Sequence, residues 1–283
     1  MASVYYDGAK LLSLMDINGR KPEIYICTSN RTGGKTTYFS RLLVNHFLKG
    51  NGKFCLLYRF NYELSDCANK FFKNINELFF PEYHMISRNC AKGLYHELFL
   101  NDQSCGYAIA LNGADKIKTY SHVFSDVQRM MFDEFQSETN HYCPDEIKKL
   151  LSVHTSIARG NGKQVRYVPV YMLSNPVSII NPYYVELGIS DRLKTETKFL
   201  RGDGFVLEQG YNKGAAEAQK EINTMLEAVK ESGAVIVGLS ALMTTTVKAM
   251  EETITLLKKA DAGIPVMVGG AVLTEEFAKL GEH

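Results

Sequence analysis

The chain has 283 residues, 45% of them apolar and 22% charged, and a formal net charge of +1. That balance excludes a disordered, collagen-like or coiled-coil chain, and equally a polycation built to coat nucleic acid. The average conceals a division: residues 214–283 hold six basic and ten acidic side chains, whereas residues 1–213 hold 26 and 21. Of the 31 aromatic residues only Phe277 lies in the later stretch, and all six cysteines lie in the earlier one. Two unlike pieces are therefore expected, residues 1–210 and 211–283. The opening MASVYYDGAK has no basic stretch followed by an apolar core, so no secretory signal is read there. No apolar run reaches the roughly 18 residues of a membrane span, so no membrane partner is expected. The cysteines form no CxxC pair or zinc spacing and stand beside apolar neighbours, which reads as buried free thiols in a reducing cytosol.

In chain order, EIYICT (23–28) predicts a short buried strand and KTTYFSRLLVNHFLK (35–49) a helix stopped by Gly50 and Gly52. KFCLLYRF (53–60) predicts a strand, 63–79 a helix, 105–111 a strand and VQRMMFD (127–133) another. Residues 144–158 read as a helix with Pro144 at its start, and QVRYVPVYMLS (164–174) as a long strand interrupted by Pro169. Strands alternating with helices imply a mainly parallel α/β sheet.

Between the first strand and the first helix lies Ser29-Asn30-Arg31-Thr32-Gly33-Gly34-Lys35-Thr36, followed by Thr37. This is a Walker A loop with Ser29 in place of the first glycine. Glycines let backbone amides turn inward around phosphate oxygens, and the helix N-terminus adds partial positive charge. Lys35 can reach the β and γ phosphates of ATP, and the Thr36 hydroxyl can ligate Mg²⁺. The plain alternative is a glycine-rich turn with a surface lysine. About 100 residues on, Met130-Met131-Phe132-Asp133-Glu134 is an apolar strand ending in two acids, a Walker B pattern. Asp133 would hold Mg²⁺ and Glu134 would polarise the attacking water. Asn175 at the tip of the next strand is placed to sense the γ-phosphate, unless it only forms a turn before Pro176. Arg159 opens the basic loop Arg159-Gly160-Asn161-Gly162-Lys163. It reads equally as an arginine finger for a neighbour's site and as a solvated loop charge.

FDEF (132–135), FCLLYRFNYEL (54–64), Arg31 inside the loop and LSNPVSIINPYY (173–184) stand in consistent order. Over roughly residues 8–210 this resembles the DNA-packaging ATPases of small short-tailed Bacillus-type phages, relatives of the large terminase ATPases. The resemblance implies a P-loop NTPase fold of the ASCE, terminase/FtsK-like kind, a parallel sheet with helices on both faces. It implies an ATP-hydrolysing motor that uses Mg²⁺ and drives double-stranded viral DNA into a preformed capsid. By position, Lys35 and Thr36 bind phosphate and metal, Asp133 is the metal acid, Glu134 the catalytic glutamate and Asn175 the sensor. Arg159 lies in the loop that holds the family's trans-acting arginine. Implied partners are DNA, the procapsid portal or connector, a packaging RNA and further copies in a ring, a pentamer in the best-understood cases. The implied location is the host cytoplasm, transiently at the procapsid portal. Lys116, Lys118, Arg129 and Lys163 are DNA-contact candidates, each more readily read as plain surface charge. A generic P-loop ATPase or nucleotide-binding scaffold is the alternative function.

The tail predicts helix 214–230, strand 234–240, helix 246–260, strand 264–270 and helix 274–280, a small partial Rossmann-like βαβα segment. GLSALMTTTVKAMEETI (238–254) and VMVGGAVLTEEFA (266–278) resemble the C-terminal half of corrinoid-binding domains. That resemblance implies an SxL motif at Ser240 and Leu242 and a GG motif at Gly269 and Gly270, lining a cobalamin tail. The family's cobalt-ligating DxHxxG has no counterpart, and the one histidine of this piece is His283. A structural role, as part of a fusion, stands beside a corrinoid-carrier role.

Overall fold

In a computed structural model the chain divides into two units, 1–212 and 213–283. The structure describes residues 6–30, 33–50, 52–160, 165–194, 196–210, 232, 236–240, 254 and 265–269.

The first unit is built on a nine-stranded sheet. Its strands are β1 (Ile24–Ser29), β2 (Lys53–Tyr58), β3 (Met85–Cys90), β4 (Tyr95–Leu100), β5 (Gln103–Ala110), β6 (Val127–Asp133), β7 (Val170–Ser174), β8 (Phe199–Arg201) and β9 (Phe205–Gly210). They lie in the order β3-β4-β5-β2-β6-β7-β1-β9-β8. The six central strands, β5 to β9 in that order, are mutually parallel. β3 and β4 add an antiparallel edge on one side and β8 on the other.

The central strands are apolar on both faces because helices cover both. On one face, α2 (Lys35–Leu48) and α3 (Cys67–Phe79) bring Phe39, Leu43, Phe71 and Ile75 against Cys27, Leu56 and Tyr171. On the other, α4 (Ala114–Thr119), α5 (Glu146–Arg159) and α6 (Pro182–Glu186) pack Ile117, Leu150, Val153 and Tyr183 against Ile26, Met130 and Met172. A short α1 (Ala9–Leu12) precedes the sheet and buries Leu11. All six cysteines are free thiols. Burial pushes those of Cys27, Cys105 and Cys143 up to about 12. No helix among the described residues is long and apolar enough to cross a membrane.

Three sequence expectations change. The helix expected over 63–79 is broken: Asn61–Leu64 is a 3₁₀ turn, Asp66 is left-handed at φ +57°, and α3 starts at Cys67. The strand expected over 164–174 begins only at Val170; Pro169 has no amide to donate, yet its carbonyl still accepts from Met130 N at 2.9 Å. The sheet is also larger than expected, since β3, β4, β8 and β9 had not been anticipated. The β8–β9 turn, Gly202-Asp203-Gly204, closes with Gly204 at φ +73°.

In the second unit β10 (Val237–Ser240) pairs in parallel with β11 (Val266–Gly269), Ser240 opposite Gly269. The expected helices 214–230, 246–260 and 274–280, with Leu242, Gly270 and His283, lie outside the described residues save for isolated positions.

Strand spacing inside the sheet is tight at Gly106. A Cβ there would stand 2.4 Å from the carbonyl oxygen of Phe54 on β2. Gly106→Ala is expected to lower stability by about 2 kcal/mol or more, as overpacking does. Urea unfolding measures this, and an unchanged midpoint would refute the close approach.

Candidate nucleotide site

Parallel strands carry their ligand sites at their C-terminal ends, and the tips of β1, β6 and β7 meet here. After β1 the chain turns and α2 opens at Lys35. Gly34 adopts φ +85°, a conformation that side chains disfavour. A Cβ on Gly33 would stand 3.0 Å from Ser29 Oγ and 3.2 Å from Asn30 O. Ser29 itself is the last ladder residue of β1, opposite Gly210, and is absent from the described residues with positive φ. Serine at this position therefore carries no backbone strain, which removes the objection to a loop lacking its first glycine. Gly34 offers no side chain to cap α2, so the first-turn amides, with Thr36 and Thr37, present the positive end of the helix dipole. Arg31 and Thr32 lie outside the described residues.

Lys35 is 7% exposed. Its ammonium donates to Asn175 Oδ1 at 3.0 Å and approaches Ser29 O at 3.4 Å. Asn175 Nδ2 in turn lies 3.4 Å from Glu138 Oε1. Two residues 140 positions apart in the chain are thereby joined at the strand tips.

At the tip of β6, Asp133 Oδ1 accepts from Glu134 N at 3.0 Å. Burial pushes the Asp133 carboxyl up to about 6, against a hydrogen bond from Thr36; Glu134 adds to the rise and Lys35 opposes it. A partly buried carboxylate beside a threonine hydroxyl suits a hard cation. Mg²⁺ takes one or two protein oxygens and completes its shell with phosphate and water. Among the described residues no group of three or more His, Cys, Asp or Glu gathers to hold a metal alone. Glu134 is exposed and left-handed at φ +56°, while Phe135 beside it is fully buried and donates its amide to Leu173 O at 3.1 Å. Two clefts flank these acids. One of about 220 Å³ is lined by Phe60, Tyr62, Glu138, His141 and Asn175. The other, about 380 Å³, is lined by Thr36, Ser40, Lys70, Phe71 and Asp133.

The remaining candidates separate from this centre. α5 opens at the site end and runs back along the sheet, about 20 Å over its 14 residues. Its last turn lies by the start of β6, where Arg166 Nη2 donates to Ile157 O at 2.7 Å and Nη1 to Val127 O at 2.8 Å. Arg159 is therefore exposed at the edge opposite its own nucleotide site. Lys116 is exposed, and Lys118 pairs with Asp115 at 2.9 Å. Arg129 is half-buried on β6, donates to Tyr171 Oη and lies 6.0 Å from that ring's centroid. Lys163 lies outside the described residues. Two buried polar residues at the site were missed, Arg59 and Gln136. Gln136 Oε1 accepts from both Val177 N and Ser178 N at 3.0 Å, tying the acidic loop to the segment after Asn175. A charge closing the apolar run FCLLY was the available signal for Arg59; Gln136 carried none.

Residues 1–200 match the family model described as Podovirus DNA encapsidation protein (Gp16). The chain belongs to that family. Residues 200–282 match a B12 binding domain. The encapsidation relatives include the DNA packaging proteins of Bacillus phage PZA and Bacillus phage phi29, each 28% identical over 185 residues, 65% of this chain and 50% of the relative. The chain thus spans about half the length of the curated relatives it matches. Dimethylamine corrinoid protein 2 of Methanosarcina mazei is 44% identical over 63 residues, 21% of this chain and 29% of that protein. Among solved structures, the N-terminal domain of the DNA packaging ATPase from bacteriophage phi29 superposes with a TM-score of 0.59 at 22% identity, covering 74% of this chain and 97% of that one. A chain of the phi29 viral genome packaging motor assembly gives 0.55 at 22%, covering 73% and 57%. At that identity the likeness shows the encapsidation family's fold, an α/β P-loop sheet.

The raised Asp133 pKa has a definite sign. Below the unfolded-state value near 4 the carboxyl is protonated in both states and adds no pH dependence; from about pH 4 to about 6 the unfolded chain ionises first, so stability falls over that range and stays lower above it. Asp133→Asn should therefore raise the melting temperature of the nucleotide-free protein at pH 7.5 and leave it unchanged near pH 4. A calorimetric scan at both values checks this; equal shifts at the two would rule out a titrating Asp133.

Proposed function

We propose that this protein is the ATP-hydrolysing motor that translocates double-stranded viral DNA into a preformed capsid. The observation that carries this reading is the hydrogen bond between Lys35 and Asn175, set beside Thr36, Asp133 and Glu134. A surface lysine in an ordinary turn would have no reason to be buried against the tip of another strand.

In this reading the amides of residues 33–37 and Lys35 bind the phosphates of ATP, and Ser29 and Asn30 shape the entry to the loop. Thr36 and Asp133 hold Mg²⁺, which would neutralise charge on the phosphates when bound. Glu134 orients and polarises the attacking water, for which its exposure on a left-handed turn suits it. Asn175 keeps Oδ1 toward Lys35 and turns its Nδ2 donor from Glu138 to the terminal phosphate, so loss of that phosphate is felt at the head of the segment 175–184. Arg159, remote from its own site, completes the site of a neighbouring copy, which supports a ring, a pentamer by family analogy. The packaging names of the phage relatives support DNA as a partner; by family analogy a portal and a packaging RNA join it, at the procapsid in the host cytoplasm. Lys116 remains a candidate for DNA phosphates, where a few cations per subunit suffice.

Lys35→Ala and Glu134→Gln should each lower ATP turnover at least tenfold, about 1.4 kcal/mol of barrier. Lys35→Ala should also weaken nucleotide binding, whereas Glu134→Gln should spare it. Turnover of the parent should rise with double-stranded DNA and purified procapsids. Turnover indifferent to both substitutions would overturn the catalytic assignment, and turnover indifferent to DNA and procapsid would leave a generic ATPase.

A further inference from the structure

Glu134 is held in a strained backbone conformation, and what holds it lies outside every motif of the nucleotide site. Non-glycine residues pay of order 1 kcal/mol or more to stand at positive φ, and they do so only where their surroundings over-determine the turn. Here the restraint acts on the next residue. Phe135 is fully buried, its amide bonded to Leu173 O at 3.1 Å and its carbonyl accepting from Arg59 Nη2 at 2.7 Å. The same nitrogen lies 3.5 Å from the carbonyl of Glu134 itself.

Arg59 follows the last residue of β2 and is 7% exposed. Its Nε donates to both carboxylate oxygens of Glu146, at 3.0 and 2.8 Å. Glu146, in the first turn of α5, is 2% exposed and accepts further from Cys143 N at 2.8 Å and from the Tyr183 hydroxyl at 2.5 Å. Burial, then the Glu146 charge, push the Tyr183 phenol far above its ordinary range, so it stays a donor. Burial alone would lower the Arg59 pKa, but the Glu146 hydrogen bond and charge raise it. The rings of Tyr142 and Phe132 lie 5.0 and 5.5 Å from the guanidinium.

We propose that Arg59, oriented by Glu146 and Tyr183, is a positioning residue that fixes the Glu134 turn and so sets where the water-polarising carboxylate stands. It acts through the Glu134 turn, which its Nη2 reaches at the carbonyls of Phe135 and Glu134. A buried ion pair is a poor device for stability alone, because a well-packed apolar pair of like size is often as good or better. A guanidinium, by contrast, can grip a carboxylate with one nitrogen and a carbonyl with another in fixed geometry, which a lysine cannot. The pair also joins four parts of the fold: the end of β2, the acidic turn, α5, and α6 beyond Asn175. The inference rests on the ATPase reading and adds a residue to it.

The test uses the full chain with Mg-ATP. Arg59→Lys should keep the melting temperature within a few degrees and the ATP dissociation constant within twofold, while kcat falls at least tenfold. Tyr183→Phe removes one donor to Glu146 and should lower kcat a few-fold with KM unchanged. Arg59→Met combined with Glu146→Met removes both buried charges together. It should melt higher than either single variant and still show the depressed kcat. If kcat returns with the melting temperature in the double variant, or is untouched in Arg59→Lys, the pair is only structural and the inference is overturned. A parent protein that binds and turns over no ATP would instead overturn the ATPase reading, and this inference with it.

Discussion

One placement governs the site: β7 lies between β1 and β6. In that order Lys35, after β1, and Asp133, at the tip of β6, are separated by one strand, and the residue that follows β7 must stand between them. Asn175 is that residue, and Lys35 bonds to it directly. The register carries the same message, since Thr28 of β1 lies opposite Ser174 and Asp133 of β6 opposite Leu173. Parallel strands align all three tips at one edge, where the helices that follow point their N-termini. Had β7 been appended outside the pair, Asn175 would not have met Lys35.

That geometry is bought with buried charge. Lys35, Arg59 and Glu146 are all less than a tenth exposed, and the Asp133 carboxylate is displaced toward neutrality. Two different solutions are used. Arg59 and Glu146 pair with each other, and the Tyr183 hydroxyl, the Cys143 amide and the Phe135 carbonyl add further bonds within the protein. Lys35 bonds instead to Asn175 and Ser29, and Asp133 to Thr36 and the Glu134 amide, at the strand tips where the two clefts open.

Much of this was legible in the residues because local chemistry dictated it. The strand–loop–helix at 24–48, the acids ending VQRMMFD and the polar tip after YMLS all follow from short-range pattern, and each lies where it was read. What was not legible depended on partners distant in sequence. MISRNC and YHELFL alternate only weakly; YHELFL becomes a strand because β5 offers an edge to pair with, and MISRNC because β4 then offers the next. Arg129 reads as a surface cation, yet Tyr171, 42 residues later, claims it. Arg59 finds its carboxylate 87 residues on. The break at Asp66 also escaped the periodicity, because a single left-handed residue leaves the apolar spacing of 67–79 intact. Ser29 is the opposite case: it looked like a defect in a motif, but its place at the end of the β1 ladder makes the missing glycine unnecessary.

The join between the two pieces can be located more closely than the family matches locate it. Those matches meet at residue 200, which would end the P-loop unit inside β8 and hand β9 to the B12-type segment. The hydrogen bonding argues otherwise. β9 runs parallel to β1 in unbroken register from Ile24 opposite Phe205 to Ser29 opposite Gly210. Glu208 of β9 accepts from the Tyr6 hydroxyl at 2.7 Å, and Tyr6 N donates to Gly33 O in the phosphate loop at 2.8 Å. Without β9, the P-loop strand would be an edge strand with its outer amides and carbonyls unpaired. Residues 201–210 are thus part of the sheet that carries the nucleotide loop, and the compositional change falls after them. A break at 200 would cost the first unit its P-loop support, whereas a break after 212 cuts no strand of that sheet.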